Sequence, residues 1–282
     1  MSNPSDTAVT PELLRGWGLP DPGESKKSRG DVVVVGGSRR SPGAVFLAGE
    51  AALRVGAGRL AVVVPTSIDG RLGVVMPEAA VHSLPEDADA QIGGAPKEAL
   101  EAADAVLLGP GFDDPDQTRA TLLAVARLGL RCLILDAFAL GILRSVDRST
   151  LPRDLVLSPN KDEAAILLGR EADEGDEPDL LEIAQRYDAV VNCYGHVVTP
   201  SGESWRISAG GPGLGTSGSG DVLAGAIAGF AARGVPPARA AVWGSWAHAR
   251  AGDRLTDTEG IGFLARDLPR ELTRAVAEVT RG

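Results

Sequence analysis

Residues 213–225 read GLGTSGSGDVLAG, in which four glycines, a threonine, two serines, an aspartate and a single leucine fill the first nine positions before a run of small apolar residues begins. Glycines at 213, 215, 218 and 220 permit positive φ angles and let a ligand approach the main chain. The following DVLAGAIAGFAARG has helical character, so unpaired amides and the positive end of a helix dipole converge on the loop. Such a loop suits an anion, most simply a phosphate. Its spacing is not GxxxxGK[ST], since no lysine follows, and the turn after the first strand, VVGGSRRSPGA, is not the GxGxxG dinucleotide pattern. The sequence therefore argues against a Rossmann dehydrogenase.

Asp221 closes the loop. It reads either as a helix cap, contributing about 1 kcal/mol, or as a base for a hydroxyl attacking a bound phosphate, a role that justifies a carboxylate beside an anion site. SPNKDE, residues 158–163, supplies a second carboxylate. Asn160 and Glu163 read either as a helix cap and its third residue or as residues orienting water around Mg²⁺, which would offset phosphate charge.

Outward from the loop, DVVVVGG (31–37), RLAVVVP (59–65), DAVLLGPG (104–111), RCLILDAFAL (131–140) and RDLVLSPN (153–160) read as buried strands. Helix-like stretches such as GAVFLAGEAALRVGAG (43–58) and DQTRATLLAVARLG (116–129) separate some of them. This alternation predicts an α/β fold with a parallel sheet covered on both faces. Ligands bind such sheets beyond the carboxyl ends of the strands, which gathers Gly36 to Ser41, Gly109 to Phe112, Asp136 and Asn160 to Glu163 as candidates. A hairpin is expected around residues 200–202, and three closing helices from Asp221, Pro237 and Asp267. Residues 1–30, polar and proline-rich, are expected to be a leading segment packed on a single domain spanning 31–282. READEGDEPD, residues 170–179, reads as an exposed acidic loop.

The 282 residues are 44% hydrophobic, ample for a full core, and carry a formal charge of −10. That charge argues against nucleic acid or an anionic membrane as partner. The chain has neither a long apolar span nor a signal-peptide pattern at its start, so a cytoplasmic location is expected. Cys132 and Cys193 lie in strand-like runs and read as reduced core thiols. His82, His196 and His248 are too scattered for a zinc site, and His248 reads as a packing residue in a helix. Arg39 and Arg40 read as a solvated loop or as phosphate contacts. The four tryptophans form no stacking platform.

GSGD followed by a small apolar helix resembles the anion hole and catalytic aspartate of the ribokinase-like superfamily, and PNKDE resembles its N-x-x-E magnesium motif. TPELLRGWGLPDP, GGSRRSPGAVFLAGEAALRVGAGRLAVVVP, LLGPGF, LILDAFAL, SWRISAGGPGLGTSGSGDVLAGAIAGFAARG, AHARAGD and GFLARDLPREL are similar, in that order, to the ADP-dependent NAD(P)H-hydrate dehydratases. The resemblance covers about residues 9–282. It implies a three-layer αβα ribokinase-like fold with a mostly parallel central sheet. The activity it implies is dehydration of hydrated NADH or NADPH (NADHX or NADPHX, S epimer), with ADP or ATP as phosphate donor and Mg²⁺, yielding AMP and phosphate.

By the same resemblance Asp221 is the catalytic base and Gly218, Ser219 and Gly220 form the anion hole. Thr216, Tyr194 and Gly195 adjoin the nucleotide; Ala44, Gly111, Asn160 and Asp221 touch the substrate. A homo-oligomer, such as a tetramer, is implied, and a separate epimerase, because the epimerase domain of some relatives is absent. The chain departs from the family at two places. SPNKDE stands for T-P-H-P-G-E, placing Asn160 where a histidine is usual, and VNCYGHVV lacks the lysine of the usual L-K-G. The first departure favours the alternative of a small-molecule kinase; both leave room for a nucleotide-binding homologue whose catalysis has decayed.

Overall fold

The four valines of Asp31–Val35 form an interior strand with a parallel neighbour on each side. Val32 and Val34 face one apolar layer and Val33 and Val35 the other, so β-branched side chains fill both faces of the pleat. The computed structural model describes residues 6–85, 91–171 and 177–281. Its strands are β1 (Thr7–Ala8), β2 (Asp31–Val35), β3 (Arg59–Pro65), β4 (Ala79–Leu84), β5 (Ala105–Leu108), β6 (Cys132–Leu135), β7 (Asp154–Leu157), β8 (Val190–Cys193), β9 (His196–Val198) and β10 (Ser204–Arg206). They pair in the order β1-β10-β9-β8-β7-β6-β5-β2-β3-β4. Only β9 runs against the others, with antiparallel neighbours at β8 and β10.

The helices are α1 (Pro11–Trp17), α2 (Gly43–Arg54), α3 (Thr66–Val75), α4 (Gly94–Ala102), α5 (Pro115–Ala126), α6 (Phe138–Ile142), α7 (Lys161–Leu168), α8 (Leu180–Tyr187), α9 (Ser219–Ala232), α10 (Pro237–Glu259) and α11 (Leu268–Thr280). Helices α1 to α3 and α9 to α11 bury their apolar faces on one side of the sheet, and α4 to α8 on the other. These are the three layers expected of the sequence. The leading segment adds β1 to the sheet edge beside β10 and sends the fully buried Leu14 of α1 into the first layer.

The predicted strands appear in place; β3 fills its whole run, and the others are shorter because their terminal glycines and polar residues turn away. Strand β4 was not foreseen; AAVHSL at the sheet edge is mostly half-exposed and shows no continuous apolar run. The expected hairpin joins β9 to β10, and a second, unforeseen tight turn at Tyr194–Gly195 joins β8 to β9. The closing helices begin at Ser219, Pro237 and Leu268, within two residues of expectation. The tryptophans form two edge-to-face pairs, Trp17 with Trp205 and Trp243 with Trp246. Residues 172–176 of the expected acidic loop, and 1–5 of the leading segment, lie outside the described residues.

Helices α2 and α9 pack unusually closely. A Cβ on Gly225 would stand 2.1 Å from the carbonyl oxygen of Ala48, and one on Gly229 would stand 2.6 Å from that of Ala52. The alanines of α2 and the glycines of α9 thus bring two backbones into contact, and the amino ends of both helices reach the same cavity.

Candidate active site

Helix α9 begins with the glycine loop. Gly218 is its amino cap at φ 92°, in the left-handed region that favours glycine. A side chain there would also strike Leu47, 2.6 Å away. Ser219, Gly220 and Asp221 form the first turn. The Ser219 amide donates to the Thr216 carbonyl at 3.1 Å and Val222 donates to Gly218. Helix geometry leaves the Gly220 and Asp221 amides without an acceptor in the helix, and no atom lies within 4 Å of where a Gly220 side chain would project. The reading of Asp221 as a helix cap is corrected: Gly218 is the cap, with no side-chain capping bond, and Asp221 is the third helical residue.

Its carboxyl group instead lines a cavity of about 760 Å³ at the carboxyl ends of the central strands, shared with Ala44, Gly111, Glu163 and Gly218. Gly111 has φ 75°, and a Cβ there would lie 3.0 Å from that of Ala44, so these two expected substrate contacts adjoin. Ser217, Phe138 and Arg40 complete much of the remaining wall. The Arg40 guanidinium makes a surface ion pair with Asp113 at 3.9 Å. The amino ends of α2 and α9 supply fixed positive potential to a cavity bordered by carboxyl groups.

Glu163 acts on both Asp221 and Asp136, and Asp221 acts on Asp136. Burial first, and the neighbouring Glu163 second, push the Asp221 carboxyl up to about 6. Burial raises Glu163 as well. Asp136, at the end of β6, is fully enclosed; burial, then Glu163 and Asp221, hold it well above the usual carboxylate range. Its neighbour Ala137 has φ 50° and ψ −123°, a strained conformation for a residue with a side chain, and lines the cavity.

Asn160 and Glu163 form a reciprocal capping box at the start of α7. The Glu163 amide donates to Asn160 Oδ1 at 2.8 Å, and the Asn160 amide donates to Glu163 Oε2 at 2.9 Å. The capping reading therefore holds, and Asn160 faces solvent outside the cavity wall. Among the described residues no group of three or more His, Cys, Asp or Glu is placed to hold a metal ion. The second oxygen of Glu163 takes no part in the cap. This donor set suits a cation carried by phosphates and reached through water, not one gripped by the protein alone.

Tyr194 and Gly195 stand apart from that cavity, at the turn between β8 and β9. Both have positive φ, 47° and 72°, the signature of a two-residue type I′ turn. Tyr194 is 70% exposed, and Lys161 Nζ lies 6.0 Å from its ring centre. A lysine, absent from VNCYGHVV itself, thus reaches this turn from α7. Lys161 also pairs with Glu177 at 2.8 Å, which ties down one end of the acidic stretch. Sequence spacing gave no sign of this, because residues 161 and 194 lie in different elements.

His248 of α10 lies beneath the glycine loop, and its Nε2 is 3.0 Å from Ser219 Oγ. Burial lowers its pKa to about 4, so it is neutral at physiological pH. Cys132 and Cys193 are buried free thiols pushed up to about 12 by burial, in keeping with core residues. His196 sits with Asp6 and Arg206 at the sheet edge, far from metal-ligand chemistry.

A family model described as NAD(P)H-hydrate dehydratase matches residues 32–274. The chain belongs to the NAD(P)H-hydrate dehydratase family. A member of it from Xanthomonas campestris, called ADP-dependent (S)-NAD(P)H-hydrate dehydratase, is 42% identical over the whole of both chains. The chain also matches bifunctional relatives, about half of whose length it spans. Among solved structures, the family's ADP/ATP-dependent NAD(P)H-hydrate dehydratase from Bacillus subtilis, co-crystallized with ATP and Mg²⁺, is 25% identical with a TM-score of 0.83, covering 98% of this chain and 99% of its own. A ribokinase-like superfamily protein from Enterococcus faecalis has a TM-score of 0.84 at 24% identity, covering 98% and 97%, and shares the ribokinase-like fold. No helix among the described residues is long and apolar enough to cross a membrane.

Proposed function

We propose that this protein is an ADP-dependent dehydratase of the S epimer of hydrated NADH and NADPH. The observation that carries the reading is Asp221, raised toward neutrality at the mouth of a glycine-lined helix terminus, in a chain that aligns end to end with a named dehydratase. Asp221 takes the proton from the ring hydroxyl, whose oxygen attacks the terminal phosphorus of ADP; the bond to the bridging oxygen breaks and AMP departs. Amides of the first turn of α9 stabilise charge growing on the transferred phosphoryl group. The ring nitrogen then expels phosphate, and loss of a proton from the adjacent carbon restores the dihydropyridine without redox change.

Mg²⁺ carried by the nucleotide would supply charge neutralisation; Glu163, through the oxygen its cap leaves free, and Asn160 beside it would orient the ion's water. Ala44 and Gly111 lie against the substrate ring, and Thr216, Tyr194, Gly195 and Lys161 serve the nucleotide. Residues 31–282 act as one catalytic unit with the leading segment as its edge, assembled as a homo-oligomer in the cytoplasm, and a separate epimerase supplies the S epimer. The N-x-x-E resemblance that favoured a kinase is accounted for by the capping box.

The decisive test mixes purified protein with acid-prepared NADH hydrate and Mg²⁺, with ADP, with ATP or without nucleotide, and follows absorbance at the dihydronicotinamide band together with phosphate release. Recovery of the band in step with phosphate, with ADP and not without nucleotide, is expected. Nucleotide binding without recovery would overturn the reading.

A further inference from the structure

Beside the catalytic cavity lies a second groove of about 650 Å³, between the amino end of α2 and helix α3. Pro42 and Gly43 line both, so they form a rim shared by the two spaces. The groove's floor is apolar, from Phe46, Ile68 and Leu72, and its only charged lining residues among those described are Arg39 and Arg71. In a protein of net charge −10, two cations with no carboxylate beside them in the lining form a local anion trap. Neither arginine has an ion-pair or hydrogen-bond partner among the described residues, and both are exposed.

We infer that this groove receives the adenosine half of the hydrated dinucleotide, with Arg39 and Arg71 binding its phosphates and the adenine lying on the apolar floor. The inference rests on the proposed dehydratase activity, which places the nicotinamide ring at Asp221. A dinucleotide anchored there has its other half to accommodate, and the Pro42–Gly43 rim is the passage out of the cavity toward unpaired cations. Guanidinium groups suit this task because they engage phosphate oxygens in pairs. The groove is chemically distinct from the helix terminus that takes ADP: it has cations and an apolar floor where the loop offers amides.

The test compares wild type with the Arg39→Ala/Arg71→Ala double variant on three hydrates: of NADPH, of NADH, and of reduced nicotinamide mononucleotide, which lacks the adenosine half. A KM at least tenfold higher for the dinucleotides, with kcat unchanged and the mononucleotide unaffected, is expected. A larger effect on the NADPH hydrate assigns the arginines to the 2′-phosphate, and an equal effect on the two dinucleotides assigns them to the adenosine-side phosphate of the pyrophosphate. Unchanged KM values, or equal losses on all three hydrates, overturn the inference. Titration of 2′-phospho-ADP-ribose and of ADP-ribose into protein saturated with ADP gives a second readout. If wild type turns over no hydrate yet binds either compound through the two arginines, the dehydratase reading fails while the groove stands; if neither compound binds, the groove assignment fails.

Discussion

Ser219 Oγ and His248 Nε2 lie 3.0 Å apart in the buried floor of the glycine loop, one on the first turn of α9 and the other midway along α10. The contact fixes the backbone that presents the amides of the first turn of α9 to the cavity. Because burial holds His248 near pKa 4, it works as a neutral partner throughout the physiological range. His248→Phe is expected to keep the fold yet lower kcat about threefold to tenfold, the equivalent of one ordinary hydrogen bond. Steady-state kinetics with ADP checks this, and no new ionisation should enter the pH profile.

Asp221→Asn separates binding from chemistry. Loss of a general base costs on the order of 10²–10⁴ in rate, so turnover should disappear while ADP still binds by calorimetry. Near-normal rates in this variant would remove Asp221 from the mechanism.

The same variant should be more stable. The folded-state pKa of Asp221, about 6, lies above its ordinary value of 3.8. A raised carboxyl favours the folded protein while protonated, and that contribution is lost as pH rises through 6. Above pH 7 the ionised Asp221 therefore costs stability, up to a few kcal/mol. Thermal melts at pH 8 should show Asp221→Asn above wild type, with the gap closing below pH 4.

The acid limb of the rate profile follows from the same group. Activity should fall as pH drops through about 6, when the base becomes protonated. Glu163 is the second cause of the shift, so Glu163→Gln should move that limb to lower pH. A limb that stays in place in the variant would assign it to another group.

Gly225→Ala tests the helix contact. The added methyl would stand 2.1 Å from the Ala48 carbonyl oxygen, so α2 and α9 must separate. Overpacking of this kind costs about 1–3 kcal/mol, measurable by urea unfolding. A loss of activity larger than the loss of folded protein is expected, because both helices end in the cavity.

Particular elements show what was legible in the sequence and why. The central strands could be read because valine and leucine runs buried on both faces have no competing interpretation, as in Asp31–Val35. The loop before α9 could be read because only a close approach to backbone requires so many glycines. Strand β4 could not, since an edge strand with half-exposed residues carries no pattern. Asp221 remained ambiguous because aspartate suits both caps and sites; the positive φ of Gly218, which makes that glycine the cap, is visible only in three dimensions. Lys161 beside Tyr194 and His248 beneath Ser219 are meetings of distant segments, for which one sequence offers no local signal.

The backbone contact between Gly225 and Ala48 has a mechanical meaning. The two helices each contribute to the cavity lining, Ala44 from one and Asp221 from the other, and at Gly225 no side chain stands between them to act as a compressible spacer. The gap across which a phosphoryl group must pass is therefore set by hydrogen atoms standing where methyl groups would be, like the jaw of a fixed gauge.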